Sequence, residues 1–175
     1  NRADDIDIAA VPSAWRHTEI VHLGPMVDEI SPHSIAHFPN SFKGITAQGW
    51  LRRWDESGRV HRRDWPEAAE ILPKANAVVI SIDDVEGDWV CLDIWGELTR
   101  VLVITQGAHG ATVIVNGDRH QFRAPQTEEI DSIGAGDIFA AAFFIRYQQT
   151  DDPLAACHYA VRLASASCSR VGPYG

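Results

Sequence analysis

The sequence predicts an α/β protein: a mostly parallel sheet flanked by helices, with a β-hairpin after the parallel part. Three observations carry that prediction. Residues 75–82 and 101–105 are predominantly apolar runs, too short for helices and without polar alternation, as strands covered on both faces are. Between them, residues 83–97 place Val85, Trp89, Leu92 and Trp95 at helical spacing, and strand, helix, strand at this distance implies parallel pairing. Asn116-Gly117 then stands between residues 111–115 and 119–123, a strong short-range signal for a hairpin.

The other elements follow in order. Residues 1–19 are acidic and irregular. Residues 19–24 read as a short buried strand ending at Gly24-Pro25. A helix is expected within residues 27–37, starting after Ser31-Pro32, because proline suits a first helical turn. Residues 38–50 hold turn formers and a short strand near 43–46, and residues 50–60 are polar, ending at Ser57-Gly58. Asp64-Trp-Pro-Glu67 opens a helix running to about Leu72. Residues 131–137 form a glycine-containing loop, followed by alanine-rich helices over 138–148 and 153–168. The second carries Leu154, Cys157, Ala160, Val161 and Ala164 on one stripe. No repeat or long linker splits the chain, so residues 1–175 read as one domain.

Composition bounds the function. Hydrophobic residues are 45% and charged residues 22%, ordinary for a globular protein. The net charge of −9 argues against a nucleic-acid partner, and no apolar run reaches the roughly 18 residues of a membrane helix. Three widely spaced cysteines, Cys91, Cys157 and Cys168, suit free buried thiols in a reducing, cytoplasmic setting. The six tryptophans all lie in the first 95 residues and are expected in packing roles.

The stretch Asp131-Ser-Ile-Gly-Ala-Gly-Asp-Ile-Phe139 carries the chemistry. Two glycines allow a tight turn that presents backbone N–H groups at a helix start, where the helix dipole favours an anion. Asp137 stands in the first turn beside them. A carboxylate there makes sense if it handles a hydroxyl proton while the amides hold a transferring phosphoryl group. A plain helix start with a favoured acidic first turn gives the same pattern. No Walker A, G-x-S-x-G or G-x-G-x-x-G motif occurs.

This nine-residue stretch resembles the second signature of the ribokinase-like (PfkB) carbohydrate kinases, D-T-x-G-A-G-D-x-F, with Ser132 in place of Thr. The stretch Leu102-Val-Ile-Thr-Gln-Gly-Ala-His-Gly110 resembles the family's strand ending in T-x-G-x-x-G. The likeness is clear from about residue 75 onward and weaker over 20–74. It implies a ribokinase-like, Rossmann-like sheet, and a chain that is the C-terminal catalytic and nucleotide-binding portion of a larger kinase whose N-terminal part and lid lie outside it. That portion is expected to be poorly soluble or inactive by itself.

The resemblance also implies ATP-dependent phosphorylation of a sugar or related small polyol. Asp137 would be the base, and the backbone of Gly134, Ala135 and Gly136 the anion hole. Thr105, Gly107 and Gly110 would lie against the nucleotide, and Val161 stands where many members carry Asn or His near the adenine. The family's N-x-x-E motif organises Mg²⁺. Here Asp83-Asp-Val-Glu86 follows the strand, so Glu86 matches and Asp83 replaces Asn. An acidic helix start is the alternative for those two residues. Asp131 matches a position that helps bind a monovalent cation such as K⁺, near Gly172. A homodimer is compatible with the family's pairing through the lid. A non-catalytic nucleotide-binding regulator and a generic α/β binding domain are the competing functions.

Two further clusters carry less. His33 and His37 are four apart and are expected as a solvated pair, and His61-Arg-Arg-Asp64 as a surface charge cluster.

Overall fold

The computed structural model describes residues 3–171. Eight strands form in chain order: β1 (Ile20–Leu23), β2 (Phe42–Thr46), β3 (Arg52–Trp54), β4 (Val60–Arg62), β5 (Ala77–Ser81), β6 (Val101–Thr105), β7 (Ala111–Val115) and β8 (Asp118–Phe122). Six make the main sheet, in the order β1-β2-β5-β6-β7-β8. The first four of these run parallel, and β7 and β8 are antiparallel. The architecture is the one expected, including the hairpin: Asn116 and Gly117 have φ of 54° and 82°, as a turn matching strand twist requires.

Alternation along the strands explains two hydrophobic layers. Val78, Ile80, Leu102, Ile104 and Ile114 face one layer, where they meet α2 (Trp89–Leu98) and the buried Trp50 and Trp65. Ala77, Val79, Val101, Val103, Ala111 and Val113 face the other, covered by α3 (Ala135–Thr150) and α4 (Pro153–Ser167). The runs in β5 and β6 lack alternation because both of their faces are covered. Trp50, Trp65 and Trp95 stack in the first layer with ring centroids 5.0 and 5.7 Å apart. Trp15 is exposed.

Several elements differ from expectation. The helix predicted over 83–97 is broken. Ile82–Val85 is a 3-10 turn closed by a capping box between Ser81 and Asp84; Glu86 and Gly87 then reverse the chain at φ of 53° and 78°. Asp88 caps the true start of α2, its carboxylate accepting from the Cys91 N–H at 3.0 Å. The helix expected within 27–37 is only a 3-10 turn, Pro32–His37. Three residues per turn do not stack positions four apart, so His33 and His37 do not share a face as in an α-helix, and His33 faces Glu70 at 3.5 Å instead.

The polar stretch 50–60 hides a 3-10 turn, Gln48–Leu51, and one strand of the β3–β4 hairpin, turned at Gly58 with φ of 81°. After Asp64, only α1 (Ala68–Ile71) and a 3-10 turn, Leu72–Lys74, form. β1 lies at the sheet edge and leaves His22 exposed, so it is a half-covered strand rather than a buried one. Among the cysteines Cys157 alone is fully buried, and burial pushes its thiol up to about 12. Among the described residues no helix is long and apolar enough to cross a membrane.

Candidate active site

Ligands of parallel α/β sheets bind beyond the carboxyl ends of the strands. Here those ends bring together Gly24 after β1, Thr46 on β2, Ser81 on β5 and Thr105 on β6, with Ser81 and Thr105 directly paired. Helix α3 is laid against this edge by its aromatic face. Tyr147 packs on Phe42 at the start of β2 (5.5 Å between ring centroids), and Phe144 packs on His22 further along β1 (5.0 Å). The helix therefore runs antiparallel to β1 and β2, and its N-terminus, with Asp137, comes over their carboxyl ends. Asp137 and Phe144 are seven apart and so lie on one helix face.

The signature stretch folds as its glycines allow. Gly134 is the N-cap of α3 in the left-handed region, φ of 80°, and the helix begins at Ala135, three residues earlier than the alanine-rich pattern suggests. Asp131 Oδ1 accepts from the Ile133 N–H at 2.9 Å, and the Ile130 and Asp131 N–H groups donate to the Cys168 carbonyl at 2.8 and 3.1 Å. These bonds tie the loop to the end of α4. A Cβ built on Gly134 or Gly136 would meet nothing within 4 Å, so the backbone there is uncovered. First-turn amides such as those of Gly136 and Asp137 have no partner inside a helix. Ala135 differs: its N–H donates to the Ser132 carbonyl at 3.2 Å and closes the turn. Asp137 is exposed beside these amides. The arrangement puts open backbone and a carboxylate together at one helix start, where the helix dipole favours negative charge.

The second glycine segment lies at the end of β6. Thr105 Oγ1 donates to the Ile80 carbonyl at 3.4 Å, and the Gln106 N–H closes a tight loop on the Gly110 carbonyl at 2.8 Å. Gly107 has φ of 55° with open space at its Cβ position. Gly110 has φ of 95°, and a Cβ there would fall 2.0 Å from the Phe122 carbonyl oxygen, so only glycine fits. Val161 is buried on α4 and lines a cavity of about 380 Å³ together with Arg123, His158 and Arg162.

Asp83 and Glu86 are both exposed, Asp83 within the 3-10 turn and Glu86 at the chain reversal that ends it. Glu86 lies 3.9 Å from Arg62. No group of three or more metal-binding side chains gathers among the described residues. Gly172 lies outside them.

The structure adds residues that the sequence pattern did not single out. The carboxylate of this segment that is built into the fold is Asp84, 8% exposed, accepting from Gln48 Nε2 at 3.2 Å, Arg52 Nη2 at 3.4 Å and the Ser81 N–H at 3.3 Å. It pins the turn after β2 to the turn after β5. His22 is the other. Its Nε2 lies 3.0 Å from Thr46 Oγ1, and packing holds its imidazole below the usual histidine range while the charge of Asp137 pulls it back up. The only advance signal for Asp84 was its place three residues after Ser81, the spacing of a capping box. His22 gave none, because it sits within an apolar strand.

Solved structures that share this architecture include members of the ribokinase family. A solved pyrophosphate-dependent kinase of the ribokinase family superposes with a TM-score of 0.84 at 20% identity, over 99% of this chain and 64% of that one. The ribokinase of Thermotoga maritima gives 0.73 at 15% identity, over 97% of this chain and 57% of that one. In sequence, the acarbose 7(IV)-phosphotransferase of Actinoplanes sp. is 39% identical over 62 residues, 33% of this chain and 20% of that protein. The chain thus spans less than two thirds of the length of these relatives. The profile of the pfkB family carbohydrate kinases matches residues 67–175, which include the glycine loop, the α3 N-terminus and Asp137, and the chain belongs to that family.

Proposed function

We propose that the enzyme transfers the γ-phosphoryl group of ATP to a hydroxyl of a sugar or related small polyol. The observation that carries this reading is the uncovered backbone at Gly134 and Gly136, at the start of a 16-residue helix, with exposed Asp137 in the same turn above the strand ends. Asp137 takes the proton of the attacking hydroxyl. The amides of Gly134, Gly136 and Asp137 hold the charge on the transferring group. Ala135 contributes by closing the turn, since its own amide is engaged with Ser132.

Thr105, Gly107 and Gly110 shape the loop on which the donor phosphates lie, with Gly107 open to their approach. Exposed Asp83 and Glu86 suit a cation that arrives with the donor phosphates and keeps its waters, so they would hold Mg²⁺ through water. Mg²⁺ supplies charge neutralisation between the phosphates. Asp131 is assigned to a monovalent-cation site near the same loop. The test is turnover of Mg·ATP across a sugar and polyol panel by the purified enzyme and by Asp137→Asn. Nucleotide binding without transfer to any acceptor would favour the regulator reading.

A second donor is supported by one feature. The cavity at Val161, where the resemblance puts the adenine, is lined by Arg123 and Arg162 besides Phe122, Ala124, Pro125 and His158. The two guanidinium groups suit a phosphate better than an uncharged base. Pyrophosphate, the donor named for the solved relative described above, is therefore the second reading. Initial rates with ATP and with pyrophosphate, acceptor held constant, separate the two.

A further inference from the structure

Two polar side chains, exposed His22 and half-buried Thr46, meet at the strand ends beneath α3. His22 Nε2 and Thr46 Oγ1 are 3.0 Å apart, on adjacent parallel strands. They are open because residue 24 has no side chain: a Cβ there would lie 3.0 Å from Thr46 Oγ1 and 3.3 Å from His22 Nε2. Any larger residue would cover the pair. On the opposite side the imidazole rests on Phe144, two helical turns from Asp137 on the same face of α3.

Hydrogen-bond capacity makes the pair useful. If the imidazole donates to Thr46, the hydroxyl hydrogen is left for a ligand; if Thr46 donates to the imidazole, its oxygen can still accept. In either tautomer Thr46 has one further bond to offer a hydroxyl, as donor or acceptor. The titratable group facing this imidazole is Asp137 on α3; the contact from β2 is the neutral Thr46.

We propose that His22 and Thr46, exposed by Gly24, form an acceptor subsite that binds a second hydroxyl of the substrate next to the one that Asp137 activates. The acceptor class is then a polyol with neighbouring hydroxyls rather than a simple alcohol. This rests on the reading of Asp137 as the base. The pair is a positioning device: it fixes which hydroxyl meets the carboxylate.

The test compares a polyol acceptor with its deoxy analogue lacking the adjacent hydroxyl, measuring kcat and KM for acceptor and donor. Thr46→Val is expected to raise the polyol KM roughly five- to tenfold, the loss of about one hydrogen bond, with donor KM unchanged. The same variant is expected to leave the deoxy analogue unaffected, and Thr46→Ser to restore the polyol KM. Gly24→Ala should reproduce the Thr46→Val pattern by covering the hydroxyl, so the reading is checked even where one variant folds poorly. Equal losses for polyol and analogue, or no change in polyol KM in both variants, would overturn the subsite. Asp137→Asn is read separately through kcat on both acceptors. If it stays active the base assignment fails, while the KM pattern still reports on the pair.

Discussion

Gly44 of β2 lies beneath the ring of Phe144 on α3 so closely that a Cβ on Gly44 would come within 2.6 Å of the ring. This contact sets the height of α3 above the sheet, and so the position of Asp137 two turns earlier. Gly44→Ala is expected to cost about 1–3 kcal/mol through overpacking. It should also lower turnover, because the helix start shifts. Phe144→Leu combined with Gly44→Ala should recover part of both losses, read by urea unfolding and by initial rates.

Gly110 and Gly117 separate strain from clash. Both have positive φ, 95° and 82°, but only at Gly110 would a Cβ strike backbone. Gly117→Ala should cost about 1 kcal/mol, the ordinary penalty of the left-handed region. Gly110→Ala should cost clearly more, because the loop after β6 must move away from Phe122. Thermal unfolding of the two variants side by side checks the order.

Asp137→Asn keeps the shape and removes the carboxylate proposed as the base. The expected loss in kcat is about 10²–10⁴-fold with little change in either KM. A loss below about tenfold would rule out the base assignment.

His22 gives a pH signature. Its pKa is lowered in the fold, chiefly by packing around the ring, so the unfolded chain takes up the proton first as pH falls. Above about pH 6.5 both states are neutral and the residue contributes nothing to the pH dependence. Below that, protonation of the unfolded chain destabilises the fold progressively until the folded imidazole is itself protonated. His22→Gln should therefore flatten the stability profile on the acid side of pH 6.5, measured by denaturant midpoints across the range.

Cys157 is buried against β7 and β8 by α4, with its thiol pushed up to about 12, while Cys91 and Cys168 are partly exposed. A thiol reagent at neutral pH should modify Cys91 and Cys168 in the native protein and reach Cys157 only on unfolding. Mass spectrometry of partially labelled protein gives the order.

The central strands, the hairpin and the two long helices were legible because each is signalled locally. β5 and β6 are apolar up to their last residue, Asn116-Gly117 supplies both positive φ angles, and Asp152-Pro153 caps and starts α4. The signature loop was legible for the same reason: its glycines and Asp137 are adjacent in the chain. The break at Glu86-Gly87 was not, because helical spacing of Val85, Trp89 and Trp95 continues across it. The competing cap at Asp88 won over periodicity. The β3–β4 hairpin was hidden by its polar sequence, which fits a strand pair with little burial.

By itself the sequence determined the α/β class, the order of the main elements and the family, since these depend on short-range patterns of apolarity and glycine. Only the tertiary structure decided which residues share the crevice. His22 and Thr46 are 24 positions apart, and Gln48 and Arg52 reach Asp84 across 36 and 32. Parallel pairing sets such distant residues side by side, and no local pattern records it. The same physics leaves the His22–Thr46 pair open at Gly24: a missing side chain matters there only because β2 has brought Thr46 against His22 of β1.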